Sequence, residues 1–250
     1  MSGPNEIGKC PSGMVYIPTG VFTMGSGTDE CGKKIFEYEN TAAECPAKVV
    51  EISAYCLDEH EVTNAEYLPI ATQQSTLQLP YPPPRGLDKL AQPIVNVTWA
   101  QADTYCRLQK KRLPTEAEWE RAAKGPLGTA RFATRSGKFS RDEAHYNSED
   151  QPTSASAPVC SYPKNGFGVC DLMGNVGEWT ADWYRPDAYI TMAEKDPKGP
   201  AAGAKKSTRG GSWNDRNPIF LRSTARSFAR PATFDDFIGL RCASTPEDVK

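Results

Sequence analysis

Eight cysteines, Cys10, Cys31, Cys45, Cys56, Cys106, Cys160, Cys170 and Cys242, are scattered over 250 residues with no two in C-x-x-C spacing. Thiolate metal centres need close pairs, usually with histidines, and this chain has only His60 and His145. An even, dispersed set reads instead as a disulfide framework made in an oxidising compartment, periplasmic or on a bacterial cell surface. That framework must tie together a chain full of breakers. Pro (21) and Gly (20) punctuate its whole length without any internal repeat, which implies one loop-rich domain. With 38% hydrophobic and 24% charged residues the core is ample and disorder is excluded. A net charge of −2 gives no basic field to attract nucleic acid or anionic lipid. No apolar run approaches the ~18 residues of a membrane span. The opening "MSGPNEIGKC" lacks a signal peptide's charged and apolar regions, so an extracytoplasmic chain would have lost a signal or anchor.

Local patterning places a few regular elements. "GMVYIPTGVFTMGS" alternates around a Pro-Thr-Gly turn and predicts a hairpin, while "KVVEISAYCLDEHEVT" predicts a further extended edge. Three helices are expected: in "TNAEYLPIATQQ" behind Thr63, in "TWAQADTYCRLQKKR", and in "TEAEWERAAKG", where Thr115 and Glu118 form a capping box and Gly125 is a stop. The proline-rich "LPYPPPRGLDKLAQP", residues 131–153 and "AEKDPKGPAAGAKKST" are expected as loops, the last a solvated excursion.

Few residues carry obvious chemistry. "VCDLMGNVGEW" gathers Asp171, Asn175 and Glu178 around two glycines, the oxygen-rich, sharply turning backbone that a hard cation such as Ca²⁺ uses, although ordinary turns share this composition. Glu116, Glu118 and Glu120 are explained by capping and by pairing along the helix, such as Glu118 with Arg121 or Lys124 nearby. His60, between Glu59 and Glu61, reads as a surface residue, because no nucleophile motif accompanies it. Trp99, Trp119 and Trp179 are expected in the core, while Trp213 faces either way.

Taken together, "GMVYIPTGVFTMGS", "EVTNAEY", "PIVNVTWAQADTYC", "KRLPTEAEWERAAKG", "DLMGNVGEWTADWY", "RGGSW" and "IGLRCA" resemble the formylglycine-generating enzyme family, also called sulfatase-modifying-factor domains. The resemblance runs from residue 13 to 243, leaving 1–12 as an N-terminal extension and 244–250 as a tail. It implies an α+β, C-type lectin-like fold with structural calcium. Carried over by motif, the first calcium site would use Asp171, the carbonyls of Gly174 and Val176, and Glu178. A second would start at Asn147 and Ser148, with Glu149, Asp150 and Gln151 as candidates in a loop shorter than the family pattern. The resemblance also pairs Cys106 with Cys242. Proximity then gives Cys10–Cys56, Cys31–Cys45 and Cys160–Cys170 for the remainder.

The segment "RGGSWNDRNPIFLRSTARS", residues 209–227, departs from that family. Formylglycine-generating members resemble "GGSYMCHRSYC" here, with two cysteines that bind copper(I). In this chain Asp215 stands at the first cysteine and Phe220 near the second. Soft Cu(I) requires thiolates, so copper is not expected, nor is formylglycine-generating activity. The expected function is a non-catalytic binding or structural module that contacts a protein or glycan through segment 209–237, and specifically through Trp213, Asn214, Asp215, Arg216, Asn217, Phe220, Arg222, Phe228 and Phe234. Interleaved aromatics, Arg and Asn suit such an adaptable surface. Retroelement-diversified variable proteins resemble the family and vary in this same segment. The alternative is a divergent extracytoplasmic enzyme of oxidative tailoring, with Asp215 as acid or base assisted by Arg226 or His60. An enclosed cleft around Asp215 favours the enzyme, and a flat patch capped by Trp213 and Phe220 favours the binder. A monomer is expected in either case.

Overall fold

The computed structural model describes residues 9–27 and 41–247. Three small sheets carry the fold, and most of their pairing is between distant parts of the chain. β1 (Met14–Ile17) and β2 (Gly20–Met24) do not form the hairpin that their alternation suggests. β1 pairs antiparallel with β4 (Tyr55–Asp58), and β2 with β3 (Lys48–Ile52). The Pro18-Thr19 step therefore hands the chain from one sheet to another. β4 is buried along its whole length, because β9 (Ala243–Ser244) covers its other side.

The three helices arise as their sequences dictate. α1 (Asn64–Ala71), α2 (Trp99–Leu108) and α3 (Glu116–Ala123) each begin with a reciprocal capping box, Thr63 with Glu66, Thr98 with Gln101 and Thr115 with Glu118. Each box satisfies two amide donors that the first turn leaves without partners. Gly125, at φ +70°, ends α3 as expected.

A four-stranded sheet was not legible in the sequence. It runs in the order β7 (Ser227–Ala229), β6 (Lys206–Arg209), β5 (Gly177–Trp183), β8 (Ile238–Gly239), with β5 and β8 parallel. The first three residues of β6 lie within the stretch expected to be a solvated excursion, yet all four of its residues are buried. The Lys206 ammonium sits 3.8 Å from the centre of the Trp99 ring and 4.0 Å from that of Trp183, and donates to the Ala181 carbonyl. Two aromatic faces and a carbonyl replace its water shell.

Trp119 and Trp179 are fully buried, in two neighbouring core clusters. Disulfides Cys10–Cys56, Cys106–Cys242 and Cys160–Cys170 are formed. The expected Cys31–Cys45 pair lies outside the described residues at Cys31. Cys106–Cys242 closes 136 residues of chain, a closure whose loss costs about 2–5 kcal/mol. Lys9 bridges to Glu247, so the two described ends lie side by side. No helix among the described residues is long and apolar enough to cross a membrane.

Candidate functional site

Segment 209–227 leaves β6 through two glycines, makes a single 3-10 turn at Pro218–Leu221, and returns as β7. A Cβ on Gly211 would lie 2.5 Å from Leu221 Cδ2, and its φ is +65°, so only glycine fits this turn. The arginines of the segment divide by direction. Arg209 is fully buried and pairs with Glu120. Arg226 forks onto Glu116 at 2.8 and 2.9 Å and packs between the Tyr184 and Tyr189 rings. The acids on α3 are therefore clamps for the two ends of the segment. Against the upward push of burial, Arg226 and Arg209 hold Glu116 below the ordinary carboxylate range, and Lys124 and Arg209 do the same for Glu120. Glu118 instead pairs with Arg112.

Arg222 corrects the expected ligand face. Its side chain is 3% exposed and forks onto Glu44 at 2.8 Å on both oxygens, so it holds the segment down and presents nothing outward. Arg226 is equally committed, and His60 bonds the Glu61 carbonyl beside a different cavity, so neither assists Asp215.

With those arginines turned inward, the outer side of the segment shapes two adjoining clefts. The first, about 390 Å³, has Asp215, Phe220 and Phe228 on its walls. The second, about 500 Å³, is bounded by Tyr81, Trp213 and Phe234 and two prolines. Asn214, Asp235 and Phe237 belong to both. Asp215 Oδ2 accepts from the Ser212 amide at 2.7 Å and from its hydroxyl at 3.0 Å, and burial pushes its carboxyl up. Trp213 is half-buried, its indole N–H tied to the Asp236 carbonyl. Asn217 caps the 3-10 turn, and Arg216 is exposed. The geometry thus combines an aspartate inside a cleft with aromatic rims, Phe220 being 43% and Phe234 38% exposed.

The loop containing Asp171 abuts this segment through its backbone. The Gly174 amide donates to the Gly210 carbonyl, and the Trp213 amide to the Asn175 carbonyl. Asp171 accepts from the Cys160 amide, and burial raises its carboxyl. Both oxygens of Glu178 are taken by Arg241, and one also accepts from the Trp119 indole. Next to these lies Glu61, fully buried, with neither oxygen given a hydrogen-bond donor. Burial and the neighbouring Asp171 push its carboxyl far up. Three acids thus share the Arg241 guanidinium, which leaves a deficit of positive charge, although their oxygens do not all lie within 4.8 Å of one another.

The second expected metal loop differs. Asn147 Oδ1 accepts from the Thr153 amide, Ser148 Oγ from the Gln151 amide, and Asp150 pairs with Arg141. Those side chains close the loop on itself. Its link to the site is the Asn147 amide, which donates to the Asp215 carbonyl.

Residues 3–246 match the Sulfatase-modifying factor enzyme 1-like domain. The chain belongs to that family. A relative in it, the formylglycine-generating enzyme of Streptomyces coelicolor, is 39% identical over 164 residues, covering 61% of this chain and 52% of its own, so this chain spans about half of that protein's length. The solved structure of PvdO from Pseudomonas aeruginosa is 28% identical, with a TM-score of 0.77 and coverage of 93% of this chain and 94% of its own. Treponema denticola variable protein 1, at 23% identity, shares the fold, with a TM-score of 0.72 over 93% of this chain and 95% of its own. The family fold is the α+β, C-type lectin-like one expected from the sequence.

Sequence reasoning passed over Glu61, Asp235, Asp236 and Tyr81. A carboxylate beside Val62 at the end of a strand carries no mark of burial until Asp171 is seen next to it. Tyr81 sits in a proline-rich loop that gives no sign of approaching Phe234, whose ring centre lies 6.0 Å away.

Proposed function

We propose that this domain is a non-catalytic binding module whose twin clefts, walled by residues 209–237, hold a protein or glycan ligand. The observation that carries this reading is the make-up of the first cleft. Asp215 and Phe220 occupy its wall, no cysteine lines it, and every described cysteine is disulfide-bonded. A surface of this composition offers rings to stack on and carboxylate and amide groups to hydrogen-bond, without a thiolate for copper. The disulfides suit an oxidising, extracytoplasmic setting. A calcium ion held by Asp171, Glu61 and the Gly174 and Val176 carbonyls, beside Glu178, would neutralise the buried acids and stiffen the loop that braces Gly210 and Trp213.

Peptide and glycan arrays probed with the wild-type chain, Trp213→Ala and Phe220→Ala test the reading. Signals that disappear with both substitutions support it, and signals indifferent to both overturn it. In its diversified-protein variant, the codons for 213–217 trace to adenine-rich template codons near a reverse-transcriptase gene; unbiased codons remove that variant.

A second reading, an oxidative tailoring enzyme, draws on one observation, the desolvated Asp215 carboxyl on the wall of the first cleft, which is open to solvent on one side. Loss of turnover in Asp215→Asn would establish it.

A further inference from the structure

The two clefts carry an unbalanced charge. The Asp215 carboxylate is held only by Ser212, Asp236 Oδ1 accepts from the Asn96 side-chain Nδ2 at 2.9 Å, and Asp235 stands where the clefts meet. Among the described residues no Lys or Arg pairs with any of the three. Arg209 and Arg226 border the first cleft, but their side chains are 0% exposed and bound to Glu120 and Glu116. Burial and the facing Asp236 raise the Asp235 carboxyl, with no cation opposing. The charge open to a ligand is therefore negative.

The opposite walls are aromatic. Tyr81 is 65% exposed and lies against Phe234, and Trp213 completes the second cleft beside Pro82 and Pro84. Ring faces carry negative potential and attract cations, most strongly when water is excluded. A neutral sugar would satisfy the rings and leave the acids uncompensated; an anion would be repelled by both. A bare metal ion suits the cleft no better. The one group of three acid, histidine or cysteine ligand atoms within 4.8 Å of one another among the described residues is Glu59 with Cys160 and Cys170, whose sulfurs form a disulfide. The acids of the clefts are too dispersed to surround one ion.

We propose that the second cleft binds an organic cation, an alkylammonium or guanidinium head group seated against Tyr81, Trp213 and Phe234 and neutralised by Asp235 and Asp236. This rests on the reading of the clefts as the ligand site and names the class of ligand. At about 500 Å³ the cleft exceeds one head group, so the rest of the ligand runs past Asn214 towards Asp215. A Lys- or Arg-bearing peptide and a free amine share this chemistry.

The test is an NMR titration of the ¹⁵N-labelled full chain with N-acetyl-arginine amide, its neutral urea isostere N-acetyl-citrulline amide, and N-acetyl-glutamate amide. The arginine probe should shift the Trp213 indole resonance saturably, and citrulline should bind about tenfold or more weakly, since it keeps the shape and loses the charge. Asp235→Asn and Tyr81→Ala, whose amide spectra report folding directly, should each weaken arginine binding severalfold. An arginine tripeptide and agmatine separate the two sources: tighter binding of the peptide identifies a peptide ligand, and of agmatine a small amine. Citrulline binding as tightly as arginine overturns the proposal. If the neutral or acidic probe binds better and Trp213→Ala abolishes it, the clefts stand as the ligand site and the cationic class falls. If no probe moves the cleft resonances, the cationic class falls, and array signals that Trp213→Ala and Phe220→Ala leave unchanged would overturn the clefts as the ligand site.

Discussion

The protein buries two groups of carboxylates and balances them differently. Around α3, Glu116, Glu120 and Asp182 share their surroundings with Arg209, Arg226 and Lys124. Behind the loop of Asp171, three acids, Glu61, Asp171 and Glu178, share Arg241, with His60 acting on Asp171 alone. The first group shows that the chain supplies buried counter-charges where its architecture depends on them, since Arg209 and Arg226 fix both ends of the segment that walls the clefts. An ionised buried carboxylate left without a partner is costly by several kcal/mol. The second group therefore marks a place that needs a proton or an external cation, and its loop hydrogen-bonds directly to Gly210 and Trp213.

Breaking the balanced group should have the largest effect. Arg209→Met removes one of the two cations on Glu120 and frees one end of the segment; a loss of about 3–5 kcal/mol is expected in urea unfolding. A loss under about 1 kcal/mol would show that the pair contributes little. The unbalanced group should respond to its missing charge. Calcium at about 100 times its dissociation constant should add about 2.7 kcal/mol of stability by linkage, and Glu61→Gln should greatly reduce that gain. Equal melting temperatures with calcium and with chelator would refute the cation reading.

A smaller effect separates the groups by pH. Burial, reinforced by Glu116, raises the Asp182 carboxyl to about 7. An acid whose pKa is higher folded than unfolded binds more protons in the native state, so its contribution to stability falls as pH rises. For Asp182 the decline runs from about pH 4, its unfolded value, to above 7. Glu116 and Glu120 have the opposite sign, and their stabilisation is lost only as pH falls below the ordinary carboxylate range. Asp182→Asn, which keeps an oxygen for the Glu116 amide, should flatten the decline in stability between pH 5 and 8 followed by denaturant melts, with or without calcium. An unchanged slope would mean that Asp182 is ionised throughout. The smallest change is expected from Asp215→Asn, which preserves an acceptor for Ser212; its unfolding free energy should stay within about 0.5 kcal/mol of wild type.

What the sequence disclosed follows from range. Helices α1 to α3 are legible because capping boxes act over three residues and apolar spacing over one turn. Cys160–Cys170 is near in sequence, and the family motifs locate Asp171 and Asp215. β6 is not legible, because "KSTR" is polar and becomes a buried strand only when Trp99 and Trp183 enclose Lys206. The hairpin expected in residues 13–26 fails for the same reason: each of its strands prefers a partner supplied from further along the chain. The inward fate of Arg222 depends on Glu44, and the burial of Glu61 on a neighbourhood drawn from remote segments.

The most direct test of the central claim, that the clefts bind without converting, is the intact mass of a ligand selected on the arrays and recovered after prolonged incubation with calcium-loaded protein under air. Identical masses from wild type, Asp215→Asn and a protein-free control are predicted. A mass change produced by the wild type and absent with Asp215→Asn would contradict the account and make the first cleft an active site.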